Sequence, residues 1–84
     1  MSKIIIYTTT YCPYCVKAKA LLQKKSAEFE EIKIENDEMR EMMIQKSGGR
    51  KTVPQIFING IHIGGCDDIY DLYRKGELDK LLKN

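Results

Sequence analysis

Apolar residues in this chain fall into short runs, and the spacing within the runs changes from segment to segment. Residues 3 to 8 carry Ile4, Ile5, Ile6 and Tyr7 without a break and run into Thr8-Thr9-Thr10, the pattern of a parallel strand covered on both faces. Such a strand belongs in the middle of a sheet. From about Pro13 to Lys25 the spacing turns helical, with Val16, Ala20, Leu21 and the stem of Lys24 expected toward the sheet. Pro13 suits the start of that helix because the first turn needs no amide donor. Residues 29 to 34 alternate, with Ile32 and Ile34 on one side, and predict a second strand. Asn36 or Asp37 then caps a helix over 38–47, where Met39, Met42 and Met43 stand at i, i+3 and i+4 as core filler. Ser47-Gly48-Gly49 stops it.

Two further short strands, Gln55-Ile56-Phe57-Ile58 and Ile61-His62-Ile63-Gly64, flank Asn59-Gly60, the pair that a type I′ hairpin wants. After Gly64-Gly65, the residues Ile69, Leu72 and Tyr73 mark a helix over 66–75, Gly76 ends it, and Glu77 to Lys83 begins a last short helix. The order is β-α-β-α-β-β-α. A right-handed crossover pairs the first two strands in parallel, and the hairpin adds two antiparallel strands on the other side of the first. The expected fold is α/β, a four-stranded mixed sheet flanked by helices.

Size and composition narrow the picture. With 84 residues, 43% hydrophobic and 31% charged, the chain reads as one small globular domain over 1–84, with no linker, repeat or low-complexity stretch. No run approaches the ~18 apolar residues of a membrane span, and the apolar start is too short for a secretory leader. A net charge of +2 is too small to suggest nucleic acid. Three cysteines, an odd number with one close pair, differ from the even framework of a secreted disulfide scaffold, so the expected compartment is the cytoplasm. Charge is uneven along the chain: the first 27 residues hold five lysines and no acid, residues 28 to 41 hold seven acids, and Lys46, Arg50 and Lys51 restore positive charge before Thr52-Val53-Pro54. Basic stretches around these segments would favour a small anionic substrate.

The chemistry lies in Cys12-Pro13-Tyr14-Cys15, which joins the first strand to the first helix. At a helix N-terminus the unpaired N–H groups and the macrodipole favour an anion, so Cys12 can hold a thiolate near neutral pH. Cys15, about one helical turn on, is close enough to close a disulfide with it and expel whatever it has captured. Cys12, Cys15, His62 and Cys66 also form a zinc-like Cys₃His set on spacing alone. Against that reading, His62 lies in an alternating strand and Cys15 leads into a long helix where a zinc knuckle would turn back. No metal is therefore expected.

Together, CPYC at this junction, Thr52-Val53-Pro54 before a strand and Gly64-Gly65-Cys66-Asp67-Asp68 opening a helix resemble the small bacterial dithiol glutaredoxins, over nearly the whole chain. The resemblance implies the thioredoxin fold, no bound cofactor, and glutathione as co-substrate. It implies that Cys12 is the nucleophile and Cys15 the resolving thiol, with Tyr14 a lid on the glutathione sulfur. It also implies that Pro54 is cis and that the Val53 backbone pairs with the cysteinyl unit of glutathione. Thr52 is either a ligand contact or a hydroxyl bonding to nearby backbone. The γ-glutamyl carboxylate would meet the amides of Cys66 and Asp67, with Gly65 allowing close approach and Asp67 or Asp68 receiving the ammonium. Cys66 itself is either a small helix-start residue or a third oxidisable thiol. Arg40 matches a position that serves the glycyl carboxylate. Relatives commonly carry lysine where Thr9 stands here, and Lys17 or Lys51 is the expected compensation.

The expected activity is glutathione-dependent reduction of protein disulfides and glutathione mixed disulfides by a monomer. Its partners would be glutathione and disulfide-containing or glutathionylated proteins, with neither nucleic acid nor membrane involved. A thioredoxin-like reductase fed by a flavoenzyme and a metal-binding module are the alternatives.

Overall fold

Strand β1 (Ile4–Thr8) organises the molecule because it has a strand on each side and helices over both faces. The computed structural model describes residues 3–83; residues 1, 2 and 84, the ends of the expected 1–84 domain, lie outside the described residues. After β1 come α1 (Pro13–Lys24), β2 (Glu30–Lys33), α2 (Asp37–Lys46), β3 (Gln55–Ile58), β4 (Ile61–Gly64), α3 (Cys66–Arg74) and α4 (Leu78–Leu82). The sheet order is β2-β1-β3-β4, with β1 parallel to β2, and β3 antiparallel to both β1 and β4. This is the mixed four-stranded sheet and the element order expected from the pattern.

Alternation along the central strands sorts side chains onto two cores. Ile4, Ile6, Ile56 and Ile58 pack with Ala18, Leu21 and Leu22 of α1, Ile69 of α3 and Leu78 of α4. On the other face Tyr7 and Phe57, with ring centroids 5.8 Å apart, receive Met43 of α2. The β3–β4 turn has φ of 53° at Asn59 and 81° at Gly60, the two positive values that a type I′ turn requires.

Several sequence expectations shift. Helix α1 buries Cys15, Ala18, Leu21 and Leu22, whereas Val16 is 61% exposed and Ala20 is also exposed. Small residues on the inner face let the helix approach the sheet closely, so that face follows Cys15 and Ala18 and not the branched Val16. Lys24 does not cover the sheet either; its Nζ donates to the Tyr73 hydroxyl at 3.1 Å. The methionine stripe reduces to one core residue, since Met43 is fully buried and Met42 is 53% exposed. Asn36 caps α2 by accepting from the Met39 N–H at 2.9 Å, and the helix starts one residue earlier than expected. β2 is shorter than the predicted 29–34, although the Ile34 N–H still donates to the Thr8 carbonyl at 2.8 Å.

Candidate active site

Strand directions bring together three segments that are far apart in sequence. Because β1 and β3 are antiparallel, with Tyr7 opposite Gln55, the chain leaving β1 toward Cys12 passes the segment Thr52-Val53-Pro54 entering β3. Because β4 runs antiparallel to β3, with Gly64 opposite Ile56, the start of α3 reaches the same edge. The Val53–Pro54 bond is cis.

Cys12 is the N-cap of α1. Its Sγ accepts from the Cys15 N–H at 3.2 Å and, as a thiol, donates to the Val53 carbonyl at 3.8 Å. The amide and the positive helix end both stabilise negative charge on this sulfur. Cys15 is 2% exposed, and burial first, then its hydrogen bond with Cys12, pushes its pKa up to about 12 from the ordinary 9.0. The pair is thus asymmetric, with a half-buried capping sulfur in front and a protonated one behind it. All three cysteines are free thiols. Cys66 is buried, and burial followed by the Asp67 charge raises its pKa.

That asymmetry has a pH signature. Below pH 9 both folded and unfolded chains keep the Cys15 proton; above it the unfolded chain releases the proton while the folded chain holds it until about 12. Stability of the reduced protein therefore falls as pH rises through this window. Urea unfolding from pH 8 to 11 should show reduced wild type losing stability faster than Cys15→Ser, and parallel curves would contradict the buried protonated thiol.

Beside Cys12 lies an open cleft of about 240 Å³, walled by Tyr14, Thr52, Val53 and Pro54 on one side and by Gly65, Cys66, Asp67 and Asp68 on the other. These residues, expected from sequence, converge. Arg40 does not join them: its Nη1 donates to the Lys51 carbonyl at 3.5 Å, and it stands outside the wall. The cation in the wall is Arg50, whose Nη2 lies 3.5 Å from Asp68 Oδ2. Neither Lys17 nor Lys51, the expected substitutes for a lysine at Thr9, lines the cleft. The same Asp68 oxygen accepts from the Gly65 N–H at 2.8 Å, so this carboxylate caps α3 while Asp67 is exposed. Gly64, at φ 125°, has no space for a Cβ, which would collide with the Asp68 carboxylate.

Behind the cleft wall, Gln55 is fully buried in an otherwise apolar strand. Its Nε2 donates to the Thr52 carbonyl at 3.0 Å and lies 3.3 Å from the Thr52 hydroxyl; its Oε1 is 2.7 Å from His62 Nε2. His62 also rests on Phe57, with ring centroids 5.0 Å apart, and burial, then the Arg50 charge, lowers its pKa against a smaller opposing effect of Asp68. Where β1, β2 and α1 meet, the Thr8 hydroxyl, then Lys19, hold the Glu31 carboxyl below the usual carboxylate range. No three His, Cys, Asp or Glu side chains among the described residues are arranged to hold a metal.

Sequence reasoning passed over Arg50 and Gln55. Arg50 was visible only as one of several basic residues before Thr52; Gln55 was visible as a polar residue opening an apolar strand, a signal of a buried hydrogen-bonded amide.

Comparison with known proteins agrees with this geometry. The glutaredoxin family model matches residues 4–63. Glutaredoxin 3 of Escherichia coli is 56% identical over 84 residues, covering 99% of this chain and 100% of that protein. The solution structure of a glutaredoxin from Brucella melitensis superposes with a TM-score of 0.85 at 55% identity, covering 96% of this chain and 88% of that one. A crystal structure of a buckwheat glutaredoxin–glutathione complex superposes with a TM-score of 0.89 at 34% identity, covering 98% and 77%.

Proposed function

The chain belongs to the glutaredoxin family, and from that premise we propose that this thiol–disulfide oxidoreductase draws its reducing power from glutathione. The observation that carries the proposal is the position of Cys12: a helix-capping sulfur, donated to by an amide, at the edge of a cleft whose far wall is a second helix N-terminus. The first helix end stabilises the attacking charge; the second suits a ligand carboxylate.

In this mechanism the Cys12 thiolate attacks the glutathionyl sulfur of a mixed disulfide. A Cys12–glutathione disulfide forms, the substrate S–S bond breaks, and the substrate leaves as a thiolate that takes a proton from water. A second glutathione thiolate then attacks the glutathionyl sulfur, releasing oxidised glutathione and the Cys12 thiolate. Alternatively Cys15 gives up its proton and attacks Cys12, forming the Cys12–Cys15 disulfide and releasing glutathione. In the first route the oxidised glutathione is made from the substrate's own glutathionyl unit and one free glutathione; in the second, two free glutathiones restore the dithiol, one opening Cys12–Cys15 to a Cys12–glutathione disulfide and the other releasing it as oxidised glutathione.

Glutathione lies with its cysteinyl unit along Val53 beside Pro54 and Thr52, a short strand-like pairing that needs no particular side chain, under Tyr14. Its γ-glutamyl carboxylate meets the amides of Cys66 and Asp67 next to Gly65, with Arg50 as the nearby cation. Asp67 takes the ammonium, because Asp68 is engaged with Gly65 and Arg50. Arg40, outside the wall, is left for the glycyl end. The protein substrates are disulfide-containing or glutathionylated, the working form is a single-domain monomer, and the compartment is the reducing cytoplasm. No described helix is long and apolar enough to cross a membrane.

The deciding experiment is steady-state reduction of a small glutathione mixed disulfide with glutathione as the sole reductant, beside a parallel assay driven by thioredoxin reductase. Turnover is expected with the first alone. Turnover driven by thioredoxin reductase and indifferent to glutathione would replace this reading with the thioredoxin-like one.

A further inference from the structure

We propose that Gln55 and His62 act as a positioning pair for the substrate, aiming the Val53 N–H into the cleft by anchoring the carbonyl of the same peptide group from behind. The inference rests on the reading that Val53 pairs with the cysteinyl unit of glutathione. Its geometry is independent of that reading.

The Thr52 carbonyl oxygen can only accept a hydrogen bond, so the group facing it at 3.0 Å must be the Gln55 amide nitrogen. That fixes the amide's orientation and leaves Gln55 Oε1 facing His62 Nε2 at 2.7 Å. An amide oxygen only accepts, so the imidazole carries its proton on Nε2 and donates. The hydrogen bonds therefore run one way, from His62 to Gln55 to the Thr52 carbonyl. His62 projects from β4, and its ring rests on Phe57 of β3.

The Thr52 carbonyl and the Val53 N–H belong to one planar peptide unit, in which the two groups point in opposite directions when the bond is trans. Thr52–Val53 is not among the cis bonds. Anchoring the oxygen toward the sheet interior therefore turns the N–H outward, toward the cleft that Val53 lines. None of the described residues accepts a hydrogen bond from this N–H, which leaves it for a ligand. A fully buried glutamine in an apolar strand is costly unless its polar atoms are satisfied, and here Nε2 is used on Thr52 and Oε1 on His62. Cys12 is served differently, by the Cys15 N–H of its own helix.

This separation defines the test. Gln55→Met keeps the shape of the side chain and removes the donor. With a glutathione mixed disulfide as substrate, the Michaelis constant should rise about tenfold while kcat changes less than about twofold, the loss expected for one misaligned hydrogen bond. Alkylation of Cys12 by iodoacetamide, which has no peptide to align, should keep its wild-type rate. His62→Phe, which keeps a ring on Phe57 and removes both ring nitrogens, the Nε2 donor to Gln55 among them, should raise the Michaelis constant by roughly two- to threefold, and it reports on the pair even where Gln55→Met folds poorly. An unchanged Michaelis constant in either variant overturns the proposal, as does an equal fall in the iodoacetamide rate, which would mean a general collapse of the site. No glutathione turnover by wild-type protein would overturn both readings, whereas wild-type turnover with unchanged constants in the variants overturns this one alone.

Discussion

Cys12→Ser should abolish turnover of every disulfide substrate, by at least about 1,000-fold or ~4 kcal/mol in the barrier. A serine hydroxyl is not ionised near neutral pH and is a poor nucleophile without an adjacent base, and among the described residues the hydrogen-bond partners of Cys12 Sγ are the Cys15 N–H and the Val53 carbonyl, neither of them a base. The fold should survive the change. Cys12 is the N-cap of α1, and serine is among the preferred N-cap residues because its oxygen accepts the same kind of amide hydrogen bond. The measurement is steady-state turnover with glutathione, alongside circular dichroism and a urea unfolding curve. Residual activity above a few percent in a folded variant would move the nucleophile elsewhere, with Cys66 the thiol to test next.

Cys15→Ser should divide the activity. Reduction of glutathione mixed disulfides should persist, because a second glutathione from solution can attack the Cys12–glutathione disulfide. Reduction of protein disulfides by the two-thiol route should fall at least about a hundredfold, since the resolving thiol is then lost from a position where it acts intramolecularly, and effective molarities for such steps are very large. Cys15 is 2% exposed, but serine differs from it only in a smaller chalcogen atom and fits the same space, so the substitution should be tolerated. Parallel assays with a small glutathione mixed disulfide and a protein disulfide would read the split. Equal loss in both would contradict the division of roles between the two thiols.

Both predictions depend on features of different legibility. That two cysteines sit at a strand-to-helix junction was readable from the apolar run ending at Tyr7, from Pro13, and from the helical spacing beyond Cys15. That Cys15 is so deeply buried was not, because Val16 looked like the inward residue and is exposed instead. Hydrophobicity favours valine for the interior. Close approach of a helix to a sheet favours cysteine and alanine, and only the packed helix reveals which preference wins.

Charge partners behaved in the same way. Arg40 and Arg50 are chemically equivalent in the sequence, yet Arg50 alone stands in the cleft wall, because the antiparallel β3–β4 pair carries the α3 N-terminus and Asp68 to its side. The two aspartates after Cys66 are equivalent in sequence, and the Gly65 N–H, which donates to Asp68, separates their roles.

The order of elements, the hairpin at Asn59-Gly60, the central place of β1 and the thiol pair at a helix start all follow from local pattern, since each depends on spacing and conformational preference among near neighbours. Long-range packing selects which face of α1 is buried, which arginine stands in the cleft wall and which aspartate caps α3, and it sets Gln55 between Thr52 and His62. Those outcomes depend on which strand ends meet at one edge of the sheet, and that is set by long-range pairing, which no local pattern encodes.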